Sequence, residues 1–201
     1  MQISLTLIRH GLTPANQERR YVGRSSDPSL APEGVRQLEA FKAQGRYPQA
    51  DALYVSPLLR CRETARLLYP MLAPMVLESL TELDFGTFEG KNYEQLKDDP
   101  AYRRWIDTGG MAAPPGGESG ADFCRRLEGA VGQIAADALR RSVRRPVIVT
   151  HGGCIMGILH SLAGQGADTG RDFYDYQTAN GGGYTALLDT DTLRISAIAP
   201  L

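Results

Sequence analysis

The chain has 201 residues, 22 basic and 23 acidic, for a net charge of −1. That balance excludes a general field for nucleic acid or an anionic membrane, so any bound anion must be held by a local cluster. At 42% hydrophobic and 22% charged residues, the chain resembles an ordinary globular protein, long enough to bury a core without staples. Three cysteines, Cys61, Cys124 and Cys154, are odd in number and lie far apart without a CxxC pair. Neither a disulfide framework nor a zinc site is expected from them; they read as reduced thiols. Met1-Gln2-Ile3-Ser4-Leu5 has no basic stretch ahead of an apolar core, and no apolar run approaches the ~20 residues of a membrane span. A cytoplasmic protein with no membrane or nucleic-acid partner is expected.

Ile3 to Ile8 reads as a short strand running into Arg9-His10-Gly11. A polar loop follows to Ala31, and a helix begins at Pro32 with Val35, Leu38 and Phe41 on one face. Ala52 to Val55 is a second strand, Leu58 to Tyr69 an amphipathic helix ended by Pro70, and Met75 to Leu77 a third strand. Asn92 to Leu96 and Tyr102 to Ile106 read as short helices. After Pro114-Pro115-Gly116-Gly117, Ser119 and Asp122 resemble a capping box opening a long helix to Leu139. Val147 to Thr150 is a buried strand and Gly153 to Leu162 a helix. Tyr184 to Leu188 and Leu193 to Ala199 are strands around an Asp189-Thr190-Asp191 turn. The alternation predicts a three-layer α/β/α sandwich with a mostly parallel sheet. It reads as one domain over 1–201, with a helical cap inserted at about 86–117. The tight turn before the final strand suggests that this strand runs antiparallel.

Two of the three histidines share one setting. His10 follows the first strand and His151 a later one, each with glycine behind it. Ligands of open α/β sheets bind beyond the carboxyl ends of strands, so the pair is a candidate site. A histidine met singly is more often structural, and His160, inside a helix, keeps that reading. Arg9 ends an apolar strand, where a fixed charge needs a partner, and Arg60 opens a helix after Ser56-Pro57. Both carry the planar fork that grips phosphate or carboxylate. Glu82, between apolar neighbours and ahead of Gly86, is a candidate general acid. There is no GxxxxGK[ST], GxGxxG or HExxH, and no cysteine has an arginine after five intervening residues.

Five blocks in order then carry a resemblance: Leu7-Ile8-Arg9-His10-Gly11-Leu12-Thr13-Pro14-Ala15-Asn16, Ser56-Pro57-Leu58-Leu59-Arg60-Cys61-Arg62-Glu63-Thr64-Ala65, Glu82-Leu83-Asp84-Phe85-Gly86-Thr87-Phe88-Glu89-Gly90, Pro115-Gly116-Gly117-Glu118-Ser119, and Val147-Ile148-Val149-Thr150-His151-Gly152-Gly153. Together they resemble the histidine phosphatase (phosphoglycerate mutase-like) superfamily. The resemblance implies His10 as nucleophile, Glu82 as general acid and base, and Arg9, Arg60 and His151 as holders of the phosphoryl oxygens. It also implies Asn16 and Gly152 as substrate contacts, with the Thr13 hydroxyl and the backbone around Gly23 weaker ones, and no metal or cofactor. The substrate it implies is a small phosphorylated metabolite, with α-ribazole 5′-phosphate and sugar phosphates as the leading classes. Phosphoglycerate mutase is the first alternative, for which Lys91, Arg103 and Arg104 of the cap offer cations; a silent phosphate-binding module is the second. Cys154 reads as a small buried filler. Oligomeric state is not legible.

Overall fold

The computed structural model describes residues 1–163 and 172–201. Six strands form one sheet in the order β3-β2-β4-β1-β5-β6: β1 (Gln2–Arg9), β2 (Ala52–Val55), β3 (Pro74–Val76), β4 (Pro146–Thr150), β5 (Gly183–Asp189) and β6 (Ile195–Pro200). The described residues hold seven α-helices: α1 (Pro14–Gln17), α2 (Pro32–Ala43), α3 (Leu59–Leu68), α4 (Tyr93–Leu96), α5 (Pro100–Asp107), α6 (Gly120–Arg141) and α7 (Gly152–Leu162).

The central strands are mostly apolar where both of their faces are covered: Leu5 to Ile8 of β1 and all of β2 and β4 are buried, while Gln2 and Ser4 of β1 are exposed. Leu5 and Leu7 of β1, Tyr54 of β2 and Ile148 of β4 pack into a cluster with α6 and α7, including Leu127, Ile134 and Ile158. The alternate residues, Ile8, Leu53, Val55, Val147 and Val149, form a second cluster with Leu38 of α2 and Ala65 of α3. Side chains alternate across a strand, so one continuous apolar run supplies both layers. The result is the expected α/β/α sandwich.

β3, β2, β4 and β1 are parallel. β6 pairs antiparallel with β5, as the tight turn predicts, but β5 is itself antiparallel to β1. The reversal therefore falls one strand earlier than expected. β6 begins only at Ile195, because Leu193 adopts φ 56° and belongs to the turn. Within that turn Asp189 Oδ1 accepts the N–H groups of Asp191 and Thr192. The loop after β1, where the sequence pattern predicts no helix, contains the short α1, capped by reciprocal bonds between Thr13 and Asn16. Ser119 caps α6 as expected, its Oγ accepting the Asp122 N–H.

Parallel pairing places the site. Arg9 of β1 stands opposite Thr150 of β4, and Val55 of β2 opposite Val149. The next residues along, His10, His151 and Ser56, therefore emerge side by side at the carboxyl edge of the sheet. Gly183 fixes the neighbouring strand at close quarters: a Cβ there would lie 1.9 Å from the Leu7 carbonyl oxygen. Replacing Gly183 with alanine is expected to destabilise the fold by about 1–3 kcal/mol, the usual cost of overpacking. Denaturant unfolding checks this, and an unchanged midpoint would show that β1 and β5 can part without loss.

Candidate active site

His10 is almost fully buried, and its Nδ1 lies 2.8 Å from the carbonyl oxygen of Gly11. That carbonyl can only accept, so Nδ1 carries the proton and Nε2 keeps its lone pair. Burial, then the charge of Arg60 and that of Arg9, lowers the His10 pKa well below its ordinary value. The ring is therefore neutral at neutral pH, the state a nucleophile requires.

His151 caps α7 from the end of β4, and its ring centroid is 5.3 Å from that of His10. Arg60 Nε donates to His151 Nδ1 at 3.3 Å, which leaves Nε2–H facing Ser56 Oγ at 2.8 Å. Burial and the adjacent Arg60 lower the pKa of this ring well below the ordinary value too.

Arg60 is completely buried in the first turn of α3. Its Nη1 donates to Ser26 O (2.7 Å), and its Nη2 to Gly23 O (2.9 Å) and Val22 O (3.4 Å). Arg9 Nη1 donates to Thr178 O at 2.6 Å, while its Nε is buried without a hydrogen-bond partner. Two guanidinium groups thus stand beside two neutral imidazoles, with donors left to spend on an anion. Arg60 lies in the first turn of α3 and His151 is the N-cap of α7, so site residues sit at the positive ends of both helices.

Glu82 lies against this group. Its Oε1 accepts the Leu83 N–H and its Oε2 the Gly153 N–H, each at 3.0 Å. Burial raises its pKa; these two N–H groups, Arg60 and Arg9 oppose the shift without reversing it. Gly153 permits the approach, because a Cβ there would sit 2.5 Å from Glu82 Oε1. Gly152 opens α7 against Arg9, where a Cβ would lie 3.3 Å from Cζ.

The structure brings His10, Arg9, Arg60, Glu82, His151 and Gly152 together. Asn16 joins them through Asn180, whose Nδ2 donates to Asn16 Oδ1 and to His10 O, each at 3.1 Å. Thr13 also donates to Asn16 Oδ1, which leaves the Asn16 Nδ2 end free as a donor. The Thr13 hydroxyl is spent on this contact and on capping α1. Gly23 differs from expectation as well. Its N–H goes to Glu89 Oε1 (2.8 Å) and its carbonyl to Arg60, so both backbone groups hold the site and neither is left for substrate.

Several supporting residues escaped the sequence reading: Ser56 on His151, Thr64 Oγ1 accepting the Gly11 N–H at 2.9 Å, Thr178 and Asn180. Asn180 has a signal, the run Asn180-Gly181-Gly182-Gly183. Thr178 has none, since it acts through its backbone. Cys61 and Cys154 are fully buried, donate to the carbonyls of Thr150 and Thr81, and are pushed up in pKa by burial. His160 is exposed and meets the edge of Phe173. Among the described residues, no three His, Cys, Asp or Glu side chains gather as metal ligands, and no helix is long and apolar enough to cross a membrane.

Residues 5–188 match the family model described as histidine phosphatase superfamily (branch 1). The chain belongs to that superfamily. A histidine phosphatase relative from Salmonella typhimurium, named adenosylcobalamin/alpha-ribazole phosphatase, is 30% identical over 162 residues, covering 79% of this chain and 78% of the relative. A bifunctional protein of Mycobacterium tuberculosis is 38% identical over 128 residues, 61% of this chain and 35% of that one. The chain thus spans about a third of the length of that relative. A solved phosphoglycerate mutase from Thermus thermophilus superposes with a TM-score of 0.68 at 30% identity, covering 99% of both chains.

The buried rings of this superfamily member are expected to set its acid stability. In the unfolded chain both histidines titrate near 6.5, whereas in the fold their values are lowered. Below about pH 6.5 the unfolded state binds protons that the folded state refuses, so stability falls as pH drops toward the folded values. Glu82 has the opposite sign: its folded value is raised from 4.5, and its contribution declines as pH rises through that interval. The melting temperature is expected to fall between pH 7 and pH 5.5, and less steeply in the His10→Asn variant. Equal slopes in the two proteins would overturn this account.

Proposed function

We propose that this protein is a metal-independent phosphomonoesterase working through a phosphohistidine on His10. The observation that carries the proposal is the neutral His10, Nε2 free, beside two buried guanidinium groups whose donors are incompletely used. His10 Nε2 attacks phosphorus in line; the N–P bond forms as the bond to the departing oxygen breaks. Glu82, whose pKa burial raises, gives its proton to that oxygen. Arg9, Arg60 and Asn16 hold the nonbridging oxygens, over which the transition state spreads charge. The arriving dianion favours uptake of a proton from solvent at His151 Nδ1, in place of the hydrogen bond it accepts from Arg60 Nε, and the ring becomes a third cation. Glu82, now a carboxylate, removes a proton from the water that cleaves the N–P bond, which returns His10 and releases phosphate. Fixed cations occupy the place where a metal would otherwise neutralise the phosphoryl group.

The substrate in this reading is a small phosphorylated metabolite of the α-ribazole 5′-phosphate or sugar phosphate class, hydrolysed in the cytoplasm. The name of the Salmonella relative supports the first and with it a place in cobalamin assembly. We take 1–201 as one domain whose 86–117 segment caps the site. The geometry favours hydrolysis over mutase chemistry, which must also hold a substrate carboxylate. Arg103 is committed to Asp98 (2.8 Å) and the Lys97 carbonyl, and Lys91 and Arg104 are exposed.

The test is phosphate release in chelator from α-ribazole 5′-phosphate, sugar phosphates and 3-phosphoglycerate. Release from the first two, abolished by His10→Ala, is expected; conversion of 3- to 2-phosphoglycerate with little phosphate freed would place the protein with the mutases. Glu82→Gln separates the acid from the nucleophile. It should slow alkyl phosphates by about 10²–10⁴-fold and p-nitrophenyl phosphate far less, because that leaving group departs without a proton. An equal loss on both substrates would remove Glu82 from the acid role.

A further inference from the structure

We infer that Arg126, gripped by Glu118, is a positioning residue for Glu82: it holds the main chain that carries the general acid. The inference rests on the phosphatase reading. It gives the Pro115-Gly116-Gly117-Glu118-Ser119 block, which that reading leaves without a task, a part in the same reaction.

The chain around Glu82 needs such a support. Ser79 to Asp84 lies outside every strand and α-helix, so its carbonyls have no ladder to join and must find donors elsewhere. Four in a row receive them from side chains. Arg126 Nη1 donates to the carbonyls of Ser79 and Thr81, each at 2.9 Å, and Nη2 to that of Glu82 at 3.5 Å. Thr150 Oγ1 donates to the Leu80 carbonyl at 2.8 Å, and Cys154 Sγ to that of Thr81 at 3.2 Å. Arg126 thus takes three of the four.

Arg126 is itself held in place. Its Nε and Nη2 donate to the two Glu118 carboxylate oxygens at 2.9 and 2.7 Å, the bidentate geometry that fixes a guanidinium plane. The two side chains are only 19% and 14% exposed, so solvent screens the pair little. The guanidinium also lies 5.2 Å from the centre of the Phe123 ring.

Glu118 is tied to the acid loop from the far side. Its N–H donates to the Asp84 carbonyl at 3.0 Å, and the Thr87 N–H donates to the Pro115 carbonyl at 2.9 Å. The backbones meet this closely because Gly86 and Gly117 lack side chains: a Cβ would stand 2.2 Å from Pro115 O and 2.3 Å from Asp84 O, respectively. The loop is therefore gripped by Arg126 up to Glu82 and by the 115–118 turn beyond it. A loop that shifts loosens the Leu83 and Gly153 N–H bonds that aim the Glu82 carboxyl. Because Glu118 offsets its charge, Arg126 bears on the main chain without becoming the direct guanidinium partner that would hold Glu82 ionised.

Arg126→Lys keeps a cation beside Glu118 but loses the planar fork; Arg126→Met loses both. On a sugar phosphate both variants are expected to lower kcat by about 10²-fold, the cost of a small misplacement of a reacting group. KM should stay nearly unchanged, because the phosphate clamp is intact. p-Nitrophenyl phosphate, whose leaving group departs without a proton, should lose several-fold less. In the Glu82→Gln background the same replacements should add little, as expected of residues that act as a unit.

A titration of the Glu82 carboxyl carbon by NMR, assigned by its absence from Glu82→Gln, reads the same role without turnover. Arg9, Arg60 and the Cys154 thiol, which also face Glu82, are unchanged in these variants. The Leu83 and Gly153 N–H groups favour the carboxylate, so loosening them should move its midpoint upward in both variants. Equal losses on the two substrates, an additive loss on Glu82→Gln, full activity in Arg126→Lys or an unmoved midpoint would each overturn the inference. If the unaltered protein releases no phosphate, the phosphatase reading fails, while the titration still decides whether Arg126 positions Glu82.

Discussion

The structure is organised around a guanidinium that has been taken out of water without an adequate counter-charge. Arg60 is completely buried, and its hydrogen-bond partners are three carbonyls and a neutral ring. The nearest carboxylate, Asp27, stands at 3.9 Å and is half exposed. Burying a charge is costly unless it is paired, and dipoles meet only part of that demand. Arg9 repeats the arrangement with one buried N–H left unused. The loop carrying Val22, Gly23 and Ser26 folds around Arg60, the start of α3 carries it, and both histidines are driven neutral partly by its field. A phosphoryl dianion is the partner that would balance these charges.

The same constraint explains what the sequence could disclose. A strand followed by His-Gly appears twice in the chain, at His10 and at His151, and each copy is readable where it stands. Their meeting depends on β1 and β4 being neighbours in matched register, Arg9 opposite Thr150, which no local pattern encodes. The ordered family blocks supplied that missing link, and with it Arg60 and Glu82. They could not supply the partners. Arg9 is held by the backbone of Thr178, and a carbonyl leaves no mark on residue type. Asn180 did leave one, in the glycine run that follows it, but that run reads equally well as the tight start of a strand.

Strand direction shows the same limit. The apolar spacing of β5 identified a strand near Tyr184, yet spacing does not say which way the strand runs; the connection from α7 decides that. The case of Gly23 is subtler. Absence of a side chain there suits close approach to a ligand, and the resemblance implies such a contact. In the fold the close approach is made by Phe85, Glu89 and the Leu83 carbonyl, all within 2.8 Å of where a Cβ would stand. The residue type was right for crowding, and only three dimensions show what does the crowding.

Glu82 shows why the acid and the anion clamp can share so small a space. A carboxyl paired directly with a guanidinium is held ionised and is of no use as an acid. Here the hydrogen bonds to Glu82 come from the N–H groups of Leu83 and Gly153, and the two arginines act on it only as more distant charges. Burial remains the largest influence and shifts the carboxyl toward its protonated form. In the proposed cycle, once that proton has left with the alcohol, the same two N–H groups and the same distant charges steady the carboxylate through the second half. Gly153, by lacking a Cβ, lets the start of α7 come close enough to do this, while Gly152 sets Arg9 against the same helix. In the proposed reaction, two adjacent glycines after His151 thereby keep the acid and the clamp apart while both face one phosphoryl group.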